Sequence, residues 1–238
     1  MVFSPLQMVG FLGLAAIAAF CGIWTIRAYL KNKNPMIGWF SGYFFCKAIG
    51  FGIISMLGML TVKSFDLIYK GTLVGFWITC LAPGFILLIA LSGVRLRFFP
   101  KIPIFLAVAL IGTLSIIMTI PAVVMTVDPI TGFVRMDLSR DLPFQSLMFG
   151  IYHFIFYIPI VLSFFYFFVK AEERKIRIRS LLFGIGYILA TIGAFVICFT
   201  MMGMIKMPPG GTAFAGITYM VILAGILYKP KKTIPAAV

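Results

Sequence analysis

Acidic residues are scarce in this chain. Six aspartates and glutamates stand against twenty lysines and arginines, and all six (Asp66, Asp128, Asp137, Asp141, Glu172 and Glu173) fall between long apolar runs or at their edges. No carboxylate therefore sits in the middle of a run to relay protons, bind sodium or hold a catalytic metal, which argues against a proton-coupled transporter and an intramembrane metalloenzyme. Histidine is scarcer still. The single one, His153, has no HExxH context and no second His or acidic ligand nearby in sequence, so a metal site lacks support. The four cysteines, Cys21, Cys46, Cys80 and Cys198, lie inside apolar runs with no CxxC or Cys/His spacing, which removes the case for a disulfide framework or zinc and leaves small apolar packers. No cofactor is implied and no enzymatic activity is expected. Polar sequence is short too: its longest stretch is Val127 to Gln145, so no soluble domain is expected.

What is present is apolar sequence. Hydrophobic residues make up 62% of the chain and mean hydropathy is +1.12, which no soluble globule of this size sustains. Crossing about 30 Å of hydrocarbon takes about 20 residues of helix. Seven such runs are legible: Leu6 to Tyr29, Met36 to Leu60, Leu67 to Val94, Ile102 to Thr126, Ser146 to Val169, Leu181 to Met204 and Thr212 to Tyr228. They do not alternate with period two, so a membrane barrel is not indicated. The expectation is one all-α domain over residues 1–238, an integral membrane bundle of seven transmembrane helices. Met1 to Gln7 carries no basic residue and the first run is too long for a signal's apolar core, so that run is expected to stay as a helix.

The basic residues give the orientation. Alternate breaks hold Arg27, Lys31 and Lys33; Arg95, Arg97 and Lys101; Lys170, Arg174, Lys175, Arg177 and Arg179; and Lys229, Lys231 and Lys232. The other breaks hold only Lys63, Lys70, Arg135, Arg140 and Lys206, offset by aspartates. Short cytoplasmic loops collect such charge, which predicts the N-terminus outside, the C-terminus inside and a multi-pass cell-membrane protein. The formal net charge of +14 is then a topology signal rather than a nucleic-acid footprint. The segment "KAEERKIRIRS" is expected to carry two helices beyond the membrane, against anionic headgroups or a partner.

A seven-helix chain with its N-terminus outside suggests a rhodopsin, but the seventh run, "TAFAGITYMVILAGILY", lacks the lysine that would carry retinal. A different likeness covers nearly the whole chain. "MGMIKMPPGGTAFAGITYMVILAGILYKPKKTIPAAV", with its proline-marked turn, glycine-containing helix and basic exit, resembles the end of the seven-transmembrane sensor region at the N-terminus of bacterial and archaeal histidine kinases. "FDLIYKGTLVGFWITCLAPGFILLIALSG" and "GFVRMDLSRDLPFQSLMFGIYHFIFY" resemble that family's third span and its long external loop leading into an aromatic fifth span. The resemblance implies a prokaryotic sensor. The signalling and kinase domains that follow in the family are not in this sequence, so histidine phosphorylation is not carried over.

Two polar features stand out within the runs. In "GYFFCKAIGFG" Lys47 lies about 16 Å into the second span, near mid-depth. Helical spacing puts Phe40, Tyr43, Lys47, Gly50, Ile54 and Gly58 on one stripe, with Phe45, Ile49, Met56 and Leu60 opposite, and the glycines turn the first stripe toward a neighbouring helix. Candidate partners for Lys47 are the Tyr43 hydroxyl and carbonyls released by prolines, because Pro83, Pro121 and Pro159 cannot donate to Thr79, Ile117 and Ile155. One reading has Lys47 capped by such a carbonyl; the other has it grip the acidic head of a fatty acid or lipid phosphate. The second feature is the outer half of the fifth span, where Ser146, Gly150, His153 and Tyr157 share a stripe with Gln145 at its mouth. Asp66, Tyr69, Lys70 and Trp77 on the third span would line the same cavity if the helices adjoin. The plainer reading makes His153 and Tyr157 hydrogen-bonding residues between helices and Asp66 with Lys70 a surface pair. Tyr187, Thr191 and Cys198 share a stripe on the sixth span that reads as core.

These features together read as a sensor or receptor-like module, which binds a small or lipidic ligand through Lys47, Tyr43, His153, Tyr157, Ser146 and Trp77 and signals to a separate cytoplasmic or membrane partner. The alternatives are a facilitator or channel for a small solute, which needs a continuous polar path, and a structural subunit of a membrane complex. The bilayer and an acidic lipid or small molecule are the expected partners.

Overall fold

The computed structural model describes residues 5–57, 65–93, 101–127, 134–204 and 211–228. Helices dominate: α1 Pro5–Asn32, α2 Pro35–Leu57, α3 Phe65–Gly93, α4 Lys101–Thr119, α5 Pro143–Lys170, α6 Arg174–Met201 and α7 Gly211–Leu227. Six are long and apolar enough to cross a membrane; α7, at 17 residues, is about 26 Å long. Their outer surface is apolar as well. Phe20, Met56, Ile102, Leu110, Leu162 and Val169 are all more than half exposed, an arrangement water would penalise and hydrocarbon would not. The chain is an apolar helical bundle of the multi-pass membrane type.

Each helix packs on the next, α7 closes back onto α1, and α3 also reaches across to α5. α3 is the most interior, with 56% of its most apolar stretch buried, whereas α4 has 22% and lies at the periphery. The turn between α1 and α2 follows from "NKNP". Lys33 takes a left-handed conformation (φ 52°) and its amide donates to the Tyr29 carbonyl at 2.6 Å. The Asn34 side chain then accepts from the Met36 amide at 3.0 Å, with Pro35 in the first helical position.

The fourth run departs from expectation. Its helix stops at Thr119 rather than Thr126, gives one 3₁₀ turn (Ile120–Ala122) and becomes strand β1, Val123–Val127. Pro121 explains the break, since it has no amide to continue the ladder and disfavours helical backbone at Ile120. β1 pairs antiparallel with β2, Val134–Leu138, in the register Val123 to Leu138. The loop expected to be merely polar thus contains half of a hairpin. Within "KAEERKIRIRS", α5 runs to Lys170 and α6 starts at Arg174, so the break between the two helices is three residues. Gly58, Leu60, Arg95, Arg97, the Pro208–Gly210 turn and the tail from Lys229 lie outside the described residues.

Two arginines close helix ends with carbonyls that have no partner in their own helix. Arg140, between β2 and α5, donates from Nε to the Met202 carbonyl at 2.6 Å and from Nη2 to that of Gly203 at 2.5 Å, at the end of α6. Gly203 has φ +66° there, the left-handed exit that glycine adopts without strain. At the opposite end of α6, Arg179 donates from Nη2 to the Ile226 and Tyr228 carbonyls, both at 3.1 Å, closing α7.

Candidate functional site

The site grows from the proline in α3. Pro83 lies inside that helix, so the Thr79 carbonyl loses its usual donor. Lys47 of α2 supplies one instead: its Nζ donates to Thr79 O at 3.3 Å. The next carbonyl along, Cys80 O, accepts from the Tyr152 hydroxyl of α5. Side chains of two other helices thus hold two consecutive carbonyls one turn before Pro83, in a helix that stays continuous from Phe65 to Gly93.

Glycine makes the first clamp reachable. A Cβ on Gly50 would stand 2.5 Å from Thr79 Cγ2 and 2.6 Å from the Gly75 carbonyl, and one on Gly75 would stand 2.7 Å from Ile54 Cγ1. The α2 and α3 backbones thus touch one turn from Lys47, a distance that any side chain at those positions would enlarge. Of the stripe that the spacing predicts, Tyr43, Lys47, Gly50 and Ile54 are buried and Phe40 is half-buried; opposite, Ile49 and Met56 are exposed, but Phe45 is half-buried and lies against Gly22 of α1. Lys47 is 5% exposed. Its ammonium also lies 5.8 Å from the centre of the Phe51 ring, which offers its negative face. Asp66, Asp141, Glu172 and Glu173 are exposed at element ends, far from such a setting.

The α5 stripe is buried throughout: Ser146, Gly150, His153 and Tyr157. Its members do different things. Ser146 donates to the Ser139 carbonyl at 2.6 Å and fastens α5 to the end of the hairpin. Gly150 accommodates Phe195 of α6, whose Cδ1 would lie 2.9 Å from an added Cβ. His153 Nδ1 is 2.8 Å from the Phe149 carbonyl one turn back; a carbonyl only accepts, so Nδ1 carries the proton in that bond. Its ring packs against Phe149, Tyr152 and Tyr157, with centroids 4.3, 5.4 and 5.3 Å away. The Tyr157 and Tyr43 hydroxyls are hydrogen-bonded to each other, joining α5 to α2. Lys47, Tyr43, His153 and Tyr157 are thus brought into one core region.

Trp77 is not brought there. It is 40% exposed and donates from Nε1 to the Thr113 hydroxyl of α4 at 2.9 Å, on the outside of the bundle. Asp66 and Lys70 form a 2.9 Å ion pair with side chains 74% and 70% exposed, a surface pair as their spacing suggests. A small cavity, about 30 Å³, does open near the start of α5, between α3, α4, α6 and β2. Its walls are Leu73, Phe76, Ile116, Thr119, Leu138, Phe149, Ile197 and Cys198 rather than the polar residues expected there. Thr119 turns its hydroxyl onto the Ser115 carbonyl at 2.8 Å, so the wall stays apolar.

Sequence reasoning missed Tyr152, Tyr219, Arg140 and Arg179 as contact residues. Tyr152 sits beside His153 and its stripe was not singled out; Tyr219 is buried in α7, a helix whose apolar residues surround it on every side in sequence. No protein-family model matches this chain and no curated protein matches it, so the likeness to kinase sensor regions rests on the sequence features alone.

Proposed function

We propose that this chain is a receptor-like sensor module of the cell membrane. In this reading seven helices span, with the N-terminus outside and the C-terminus inside, and the bundle recognises a small or lipidic ligand with an acidic head. A separate cytoplasmic or membrane protein receives the signal. The observation that carries the reading is the double clamp on α3, with Lys47 on Thr79 O and Tyr152 on Cys80 O.

In this reading α3, continuous but short of one ladder bond at Pro83, has two arrangements, clamped by Lys47 and Tyr152 or released from them. A ligand shifts such an equilibrium only if it favours one of them. An acidic head would do so by taking the Lys47 ammonium from Thr79 O, since a carboxylate or phosphate is a stronger acceptor than a neutral carbonyl. α3 touches α2, α4 and α5, so its release changes helix packing as far as the basic α5–α6 turn, where a partner or anionic headgroups can register it. With Lys47 5% exposed, the ligand has to enter between helices.

The test is lipid and small-molecule mass spectrometry on protein purified from native membranes in mild detergent, wild type beside Lys47→Met. The expected result is an acidic lipid or metabolite that accompanies the wild type and is lost from the variant. Equal content in the two removes Lys47 from the site and the reading with it.

A further inference from the structure

The Tyr187 side chain of α6 is fully buried, at 0% exposure, and its hydroxyl has no hydrogen-bond partner among the described residues. A phenol enclosed without a partner costs about 1–3 kcal/mol of desolvation, so native cores supply a partner in nearly every case. The surroundings say which kind. The Tyr187 ring lies 5.9 Å from that of Tyr43 and 5.4 Å from that of Tyr157. Three helices, α2, α5 and α6, thus contribute one buried phenol each. Phenol hydroxyls both donate and accept and carry no charge, so the cluster offers nothing to neutralise an ion. Phe164 stacks on Tyr187 at 5.9 Å with planes 8° apart, which closes that face to a larger ligand.

We infer that this tyrosine cluster is a binding site for a single water molecule, which accepts from the Tyr187 hydroxyl and donates into the hydrogen-bonded Tyr43–Tyr157 pair. A water has the two donors and two acceptors that such a mixed set needs, and buried waters in proteins make about three hydrogen bonds of this kind. The water ties α6 to the α2–α5 contact at the centre of the bundle. This does not depend on the chain being a receptor.

The experiment is thermal melting in mild detergent of Tyr187→Phe, Tyr157→Phe and the double variant, together with an experimental density map that resolves ordered water. With a bridging water, Tyr187→Phe lowers Tm by about 2–4 °C, the scale of one lost hydrogen bond in a chain of this size. The two substitutions are then non-additive, because either one breaks the same bridge. The wild-type map shows a peak within hydrogen-bond distance of Tyr187 Oη. An unchanged or raised Tm for Tyr187→Phe overturns the inference, because removing an unpartnered hydroxyl relieves desolvation. If the variants do not fold, the wild-type map decides alone: no peak there, no water site.

Discussion

Lys47 donates to a carbonyl freed of its helical donor by a residue four positions further along the other helix: Thr79 O is released by Pro83 and taken at 3.3 Å by Nζ. The two residues are thirty-two positions apart in sequence, yet the proline rule puts Thr79 among three candidate carbonyls, with Ile117 and Ile155, and helical striping names the donor's face. This makes the pair testable through a third residue.

Pro83→Ala restores an amide that donates to Thr79 O along the helix, and Lys47 is then left buried with its acceptor shared. Lys47→Met should therefore be better tolerated in the Pro83→Ala background than in the wild type. In the wild type it leaves Thr79 O unsatisfied, whereas in the variant it only removes a buried ammonium. The expected coupling is about 1–3 kcal/mol, the range for a hydrogen bond from a charged donor and its loss. Melting of the four proteins of this cycle in detergent measures it. Additive effects would show that the Lys47–Thr79 bond contributes nothing.

Gly50 and Gly52 provide a matched pair on the same helix. An added Cβ at Gly50 meets Thr79 Cγ2 at 2.5 Å and the Gly75 carbonyl at 2.6 Å, while at Gly52 it meets nothing within 4 Å. Gly50→Ala should cost about 1–3 kcal/mol by forcing α2 from α3. Gly52→Ala should be neutral or stabilise by about 0.5–1 kcal/mol, through helix propensity. Similar melting temperatures for the two variants would contradict the close α2–α3 approach.

The difference between what the residues foretold and what they did not is physical. Run length and the charged breaks place the helices, because a helix satisfies its own backbone wherever it lies; the exception is the fourth run, whose helix Pro121 ends at Thr119. The Lys47 acceptor was legible for a related reason, since a proline announces an orphaned carbonyl wherever it stands in a helix. Rotation about a helix axis and the choice of neighbour were not legible. Trp77 and Phe76 are adjacent in sequence, yet one reaches outward to Thr113 on α4 and the other faces Phe149 at 5.3 Å on α5. Ser146, chosen as a cavity residue, is consumed by Ser139 O, a bond that depends on a hairpin whose strands have five residues each. Strands so short leave a weak trace, although the alternation in "VRMDL" was there to be read.

Ion pairing and carbonyl capping should separate cleanly. The Arg140 guanidinium holds two carbonyls at the end of α6, where lost bonds leave acceptors unsatisfied; Lys70 and Asp66 face outward at 70% and 74% exposure. Arg140→Gln should lower stability by about 1–3 kcal/mol and speed amide hydrogen exchange in the last turn of α6. Lys70→Ala should stay within about 0.5 kcal/mol of the wild type. Equal effects of the two would argue that the α6 cap is as solvated as the surface pair.

α7, at 17 residues, is the shortest of the seven α-helices, and its crossing of the membrane beside the six longer ones can be tested. The two arginine caps bear on this, because they sit at opposite ends of α6. Arg179, near the start of α6, holds the Ile226 and Tyr228 carbonyls, and Arg140 holds those of Met202 and Gly203 at its finish. α7 therefore ends level with the start of α6, beside which it runs antiparallel. Its length of about 26 Å also falls only slightly short of the hydrocarbon core, a gap that local thinning can absorb. A cysteine placed at Asp141 should react with an impermeant thiol reagent from the outside of intact cells, since basic residues cluster at the other end. Cysteines at Glu173 and at Tyr228 should react only once the membrane is opened, both on the same side. Labelling of the Tyr228 site together with the Asp141 site would mean that α7 does not cross, and the orientation with seven spans would fall.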